Sequence, residues 1–470
     1  MSMFFGLETA RRALMAQQQA LNITNHNIAN ANTPGFSRQE ALFVTTPPYT
    51  LGQSLAGKAQ EMGTGVKVAE IRRLRERFLD HQFRTEVKDL GRWQVRSDLY
   101  HRLELIMHEP GEGGLAGALG AFWHGWQKLA ENPENSTARS VLLQQAIDLT
   151  DTLNHLDRQL KQLGDDCNQI LAIRVAEINT LARQIAALNQ QIVRVEAGSQ
   201  QANDLRDQRD LLVDQLAELA GIQVLEKESG AIDVVLGNRG LVEGVNVSQL
   251  TVAGDPLGLH RVPAWFDGQP LKVNGGVLLG IEEAYSCLVQ FQDHLNEMVQ
   301  VMATEVNKLH LAGYGLDGGN GRQFFVTTDG EAKFDLGNII VNPELAADPG
   351  LIAAATDPAQ LPGDGGTALE IGRLKHNPVG GDNSSITEYY NGIIAQLGIS
   401  AQEAYGMVAN QEILTGAIDN RRQAVSGVSL DEEMVNMVRY QHAYNAAARM
   451  VTAIDEMLEV VVNRLGVVGR

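Results

Sequence analysis

SLDEEMVNMVRYQHAYNAAARMVTAIDEMLEVVVNRLG, residues Ser429–Gly466, is the stretch whose reading decides the fold. From Leu430 it steps by four and three through Met434, Met437, Gln441, Tyr444, Ala448, Val451, Asp455, Leu458, Val462 and Leu465. That is a heptad seam with two polar interruptions, Gln441 and Asp455, and a helix carrying such a seam needs a partner. Ser429 stands as its N-cap, with Glu432 three residues later completing a capping box. At the other terminus Leu7, Leu14, Leu21 and Ile28 recur every seven residues, with Ala10, Ala13, Ala16 and Ala20 beside them. The simplest partner for each seam is the other, or a copy of the chain. The paired ends read as an assembly device that carries the middle.

The first helix spans 3–31 and runs into an asparagine-rich end: Asn22, Asn25, Asn27, Asn30 and Asn32. Asparagine amides compete for nearby backbone groups, so this composition suits a helix end or contacts between chains. Asn22, Asn25 and Asn30 are the candidates for register-fixing contacts, with Gln441 and Asp455 in the same role on the far helix. Thr33-Pro34-Gly35 stops the helix, with Pro34 and Gly35 at the central positions of a type II turn.

Between the ends the pattern is mainly helical. Residues 41–70 look extended and loop-like, and a helix resumes near Arg75 and runs to His108. Phe122, Trp123 and Trp126 mark a short apolar helix whose rings belong to a core. Leu142, Ala146, Leu149, Leu153, Leu156, Leu160 and Leu163 open a helix of ~60 residues, roughly 90 Å long, with a slip near Cys167. Asn203–Leu219 is a further helix whose alternating Asp and Arg suit solvent or inter-helix ion pairs. From Gly221 the period becomes that of strands at Ile222, Val224, Ile232, Val234, Leu241, Leu250 and Val252. Residues 256–276 read as irregular, 279–309 as a helix antiparallel to the long one, and 324–381 as short strands with Pro and Gly. Ser384 begins a long helical tail, interrupted near Gly427.

The formal charge is −19, and all of the acidic excess lies in 44–420, leaving both ends near neutral. Neutral ends can crowd against copies while an acidic middle stays solvated. No basic stripe is available for nucleic acid. Two cysteines, Cys167 and Cys287, make no disulfide framework and read as buried thiols. The N-terminus has no continuous apolar core of a signal peptide, and no run of ~18 apolar residues could cross a membrane. Two motif matches fail on context. Gly52–Lys58 has phosphate-loop spacing, but Ala59 stands where Ser or Thr must reach magnesium. Gly313–Gly318 fits G-x-G-x-x-G but follows a helix instead of a strand. No catalytic residues, cofactor site or metal ligands are assigned.

Ala20–Arg38, with its Asn-rich run into Thr33-Pro34-Gly35-Phe36, resembles the N-terminal signature shared by rod, hook and hook-associated proteins of the bacterial flagellum. Gly63–Val66 with Arg72-Arg73, Asn203–Leu212, Gly313–Gly318 with Phe324-Phe325, Val425–Glu433 and Tyr440–Arg449 narrow the resemblance to the hook-associated protein 1 family. The chain is short for that family, which implies a reduced outer β region. The resemblance implies a structural protein, not an enzyme, of the first junction zone between hook and filament. It would be exported without a cleaved signal by the flagellar type III route, to an extracellular place on the flagellum. Implied partners are copies of itself, hook protein, the second junction protein and an export chaperone, with no nucleic acid and no membrane insertion.

The fold expected is mainly α with β-rich inserts: a long antiparallel bundle, terminal helices in a coiled-coil-like pair, and a small β domain. Residues 1–70 with 420–470 form the assembly domain; 71–221, 277–312 and 384–419 the bundle; 222–276 and 313–383 an outer region. Another axial protein of the flagellum, or a cytoplasmic coiled-coil adaptor, are the alternative functions. The expected assembly interface is Leu7, Leu14, Leu21, Asn22, Asn25, Ile28, Asn30, Thr33, Pro34, Gly35, Leu430, Met434, Met437, Gln441, Tyr444, Ala448, Val451, Leu458 and Val462.

Overall fold

The computed structural model describes residues 2–51, 60–108, 114–198, 200–254, 261–378 and 384–464. The phosphate-loop match at Gly52–Lys58 falls outside them. Helix α4 (Ser136–Glu196) is 61 residues long, opened by Asn135, whose Oδ1 accepts the amides of Thr137 and Ala138 at 2.9 and 3.2 Å. Its buried stripe keeps four-three spacing from Leu142 to Leu163, then takes three steps of four through Cys167, Leu171 and Val175. Such a stutter locally unwinds the seam and turns it to a new face. The core divides there.

The amino-terminal half of α4 belongs to one cluster with α2 (Arg77–Met107), α3 (Leu115–Glu131), most of α6 (Gly276–Ala312), α8 (Gly366–Arg373) and the first half of α9 (Ile386–Ser426). Phe122, Trp123 and Trp126 are fully buried there against Phe324 and Phe325. The carboxy-terminal half packs in a second cluster with α5 (Asn203–Leu219), the start of α6 and a β region. Because Val277–Ile281 share the second cluster and Ala284–Val306 the first, α6 runs antiparallel to α4.

The β region is a four-stranded antiparallel meander of β5 (Ile222–Glu226), β6 (Ile232–Leu236), β7 (Arg239–Glu243) and β8 (Asn246–Val247). Beside it stands a hairpin of β9 (Leu250–Gly254) and β10 (Arg261–Trp265). β10 corrects the irregular reading of 256–276. Proline 263 and a single buried run of three residues at the strand's end hide its period. A second correction is α8, an eight-residue helix in the stretch read as strands and turns. Residues 313–378, which also hold β11 (Phe325–Thr327), β12 (Ile339–Val341) and α7 (Pro343–Ala347), pack with the first core. Residues 222–254 and 261–276 pack with the second.

Helix α1 (Ser2–Ala29) and the last helix, α10 (Leu430–Arg464), lie together outside both clusters. Between them and the body come β1 (Gln39–Thr45), β2 (Tyr49–Leu51), β3 (Gln60–Met62) and β4 (Val66–Arg73), paired as β1–β4 and β2–β3. The stretch read as loop-like is thus largely two antiparallel ladders. Ala20, Ile23 and Ala41 form a third, small core with Phe43, Val68, Ile71 and Tyr440 around it.

Candidate assembly interface

The two terminal helices run antiparallel in a fixed register. Asn27 Nδ2 donates to Glu433 Oε2 at 3.1 Å, Tyr440 packs against the cluster of Ala20, Ile23 and Ala41, and a side chain at Gly6 would touch Ile454. These contacts are seven or fourteen residues apart on both helices, so Gly6, Ala13, Ala20 and Asn27 face Ile454, Ala447, Tyr440 and Glu433. The seam is therefore one residue earlier than expected. Leu7, Leu14, Leu21 and Ile28 are half-buried on its flank, while Ala10, Ala16, Ala20, Ile23, Thr24 and Asn27 are buried. Small residues let the helices approach closely, with β1 and β4 on the other side of α1.

On α10 the expected positions divide by phase. Met437, Tyr444, Val451 and Leu458 lie in the half-buried stripe, together with Ala448 at its edge. Leu430, Met434, Gln441 and Asp455 are exposed, and the residue before each of the last three, Glu433, Tyr440 and Ile454, faces α1 instead. The side chain of Val462, and all of Leu465, fall outside the described residues. Asn22 and Asn25 are exposed; Asn30 turns back on its own helix, donating to the His26 carbonyl at 3.0 Å. Thr33 and Pro34 are exposed, and the Thr33 carbonyl accepts the Phe36 amide at 3.2 Å across a turn with Gly35 at φ +79°. That angle requires a residue without Cβ penalty, and a side chain there would also press on Leu211.

Asn27 and Arg38, neither singled out from the sequence, tie the turn to α10. Asn27 exchanges two hydrogen bonds with the Gln39 backbone, at 2.8 and 3.0 Å. Arg38 donates to Glu433 at 2.8 Å and Glu432 at 2.6 Å. Burial works against its charge, and the two carboxylates outweigh that and raise its pKa. The Glu432 carboxylate thus turns to Arg38, while its amide keeps a long 3.5 Å bond to the Ser429 hydroxyl, the capping half that survives.

On the acidic helix α5 most charges face inward, with Asp204 and Glu218 left exposed. Asp207 takes the Ser37 amide at 2.8 Å and Arg73 at 2.7 Å. Asp210 takes Arg73 and Arg75, both at 2.9 Å. Asp214 takes Arg84 and Arg422, both at 2.6 Å, and Arg75 also holds Asp80 at 2.8 Å. Burial tends to raise the Asp210 carboxyl, but Arg75, Arg73, Arg209 and Arg84 hold it below its ordinary value. At Asp207 burial prevails over Arg73 and the Ser37 amide, and its pKa rises. Four guanidiniums thus meet four carboxylates where the terminal helices join the body, an arrangement no local spacing reveals.

The side-chain surface is uneven in another respect. Among the described residues, half of the exposed large apolar side chains follow residue 398, including Ile413, Leu414, Leu430, Met434, Val435 and Val438. Among the described residues no helix is long and apolar enough to cross a membrane, and no group of three or more His, Cys, Asp or Glu could hold a metal. Cys167 is buried, as expected, and Cys287 only partly.

Comparison with known proteins places these features. A model of the helical domain of flagellar hook-associated protein FlgK matches residues 100–325. Models of the C-terminal part of flagellar basal body rod FlgEFG proteins and of the flagella basal body rod protein match 421–465 and 7–36. Flagellar hook-associated protein 1 of Bacillus subtilis strain 168 is 34% identical, with 100% of both chains covered. The namesake from Salmonella typhimurium strain LT2 is 24% identical over 97% of this chain and 98% of the relative. A solved structure of the flagellar hook junction protein FlgK from Burkholderia pseudomallei shares the fold, with TM-score 0.65, 18% identity, 73% of this chain and 100% of that one.

Proposed function

The chain belongs to the flagellar hook-associated protein 1 family, and from that premise we propose that it is a structural subunit of the flagellar hook–filament junction, built in through its terminal helix pair. One observation carries the assembly reading. Helix α10 exposes Leu430, Met434, Val435, Val438, Met450, Met457, Val460 and Val461, far more apolar surface than an isolated helix leaves to water. The assembly unit is the terminal part, 1–70 with 420–470 by the sequence pattern, with its edges at the end of β4, Arg73, and the start of α10, Leu430. The surfaces that cover α10 belong to copies of this chain in a ring or helical layer, with hook protein on one side and the second junction protein on the other. Its place is the flagellum, reached by type III export with a chaperone. Its role is structural and needs no catalysis. Amide exchange at α1 and α10 slows on assembly, as in coupled folding and binding.

Val438→Asp tests this. The substitution sits on an exposed position, so the free chain should melt as the parent does, while incorporation at hook tips and swimming are lost. Normal filaments on cells carrying the variant would refute the reading.

A further inference from the structure

The chain passes between the terminal unit and the body twice, each time through three residues outside regular structure: 74–76 between β4 and α2, and 427–429 between α9 and α10. The two connectors lie side by side. Arg38 donates its amide to the Ser426 carbonyl and accepts that of Leu74, both at 2.8 Å. Paired short connectors between rigid elements are the usual build of a hinge. The cores agree, because the small terminal cluster is separate from the two clusters of the body.

What joins the two bodies beside the connectors is mainly polar, with Leu211 against Gly35 as an apolar contact. From the terminal side, Ser37, Arg73 and Gln39 reach Asp207, Asp210 and Asp204 of α5 at 2.8, 2.9 and 2.7 Å. From the body, Asn203 Nδ2 reaches the Ile71 carbonyl at 2.8 Å. Next to this contact a groove of about 1060 Å³ separates Gln19 and Val68–Ile71 from the α4–α5 tip at Val193–Ala197 and Asn203–Arg206. An interface held by apolar packing would have closed such a space.

We propose that residues 74–76 and 427–429 are a two-strand hinge, that the α5 carboxylates Asp207 and Asp210 are a latch setting its angle, and that the terminal unit rocks across the groove when the latch is released. Arg73 is the terminal unit's arm in that latch, whereas Arg75 of the hinge strand, and Arg84 and Arg422 of the body, hold the body's Asp80, Asp210 and Asp214. The polar pairs hold orientation and the three cores hold each part together, so release changes the angle and leaves both folds intact. This inference needs no assumption about what the subunit assembles with.

Spin labels at Glu40→Cys on β1 and Arg158→Cys on α4, in the full chain with Cys167 and Cys287 replaced by Ser, report the angle as a distance distribution. The parent should give one narrow distribution. Arg73→Gln should at least double its width, and Asp207→Asn with Asp210→Asn should do so too. Amide protection along α4 should not change in Arg73→Gln. If the double variant does not fold, Arg73→Gln decides, since it leaves the body-side pairs in place. A parent as broad as the variants, an unchanged width in Arg73→Gln, or loss of α4 protection in that variant would each overturn the hinge.

Discussion

Glu433 offers the sharpest test of how the terminal helices are registered. Its side chain is 2% exposed and holds Arg38 at 2.8 Å and Asn27 at 3.1 Å, whereas its neighbour Glu432 is 63% exposed with the same Arg38 at 2.6 Å. Removing one partner of a buried ion pair costs about 3–5 kcal/mol. Here Arg38 would keep Glu432 and some solvent, and Asn27 would keep the Gln39 carbonyl, so Glu433→Ala should cost less than that, about 2–3 kcal/mol. Glu433→Gln keeps the shape and an acceptor but loses the charge, for about 1 kcal/mol. Glu432→Ala removes an exposed pair and should cost about 0–1 kcal/mol. Native-state amide exchange on α1 and α10 of the full chain reads all three, and swimming should fall in the same order. If Glu432→Ala matches Glu433→Ala, or if Glu433→Ala leaves α1 protection where it was, the Asn27–Glu433 register has no energetic weight.

Three other outcomes follow from single environments. Burial pushes His310 down to about 4, and the neutral ring is held with Nδ1 donating to the Arg322 carbonyl at 2.8 Å and Nε2 accepting the Ala353 amide at 2.9 Å. The unfolded ring binds a proton near 6.5, so stability is whole above that pH and is lost as pH falls toward 4; denaturant unfolding should record a loss of about 2–3 kcal/mol by pH 4.5, a component missing in His310→Asn. Gly91→Ala in α2 would place Cβ 2.7 Å from the Glu218 carbonyl and 3.1 Å from Val277, lowering stability by about 1–3 kcal/mol, while Gly120→Ala in α3 meets nothing within 4 Å and should add about 0.5–1 kcal/mol; thermal melts give both signs. Ala20→Leu, at a position 1% exposed, should loosen α1 by about 1–3 kcal/mol in amide exchange, and Leu21→Ala on the flank by less. The opposite ranking would restore the heptad of leucines as the seam.

The period of both terminal helices was legible in the sequence, and the phase was not. Positions 437, 444, 451 and 458 belong to either choice of seam; only the alternate positions differ. Taking 434, 441, 448 and 455 left Gln441 and Asp455 as interruptions, whereas one residue earlier stand Tyr440, Ala447 and Ile454. The remaining polar residue of that set, Glu433, looks wrong in a seam until Asn27 and Arg38 arrive from about four hundred residues away. On α1 the leucine heptad drew attention from the smaller residues that allow close approach. The same limit hid the α5 cluster. Its carboxylates are adjacent in sequence, but their guanidiniums come from 73, 75, 84 and 422. Long apolar stripes such as that of α4 were readable because packing repeats along one helix; charge pairing between distant segments leaves no period.

The division of residues between the two kinds of contact explains why the ends can be both specific and unfinished. Inside the chain α10 spends one stripe, Glu433 through Leu458, on a partner whose facing positions are Gly6, Ala13, Ala20 and Asn27. Such a seam fixes register by fit and by one buried polar contact, yet removes little apolar area from water. The larger side chains lie elsewhere. At 100° per residue, Leu430, Met434 and Val438 stand on one flank of the seam and Met450, Met457 and Val461 on the other, all exposed. A helix apolar on several sides is stable only when surrounded. The intrachain pair therefore sets the shape of the subunit's end, and in the proposed assembly the burial of the flanks is left to neighbouring subunits. Swapping the two sets, large residues inward and small outward, would make a stable free helix pair with nothing left to hold a second subunit.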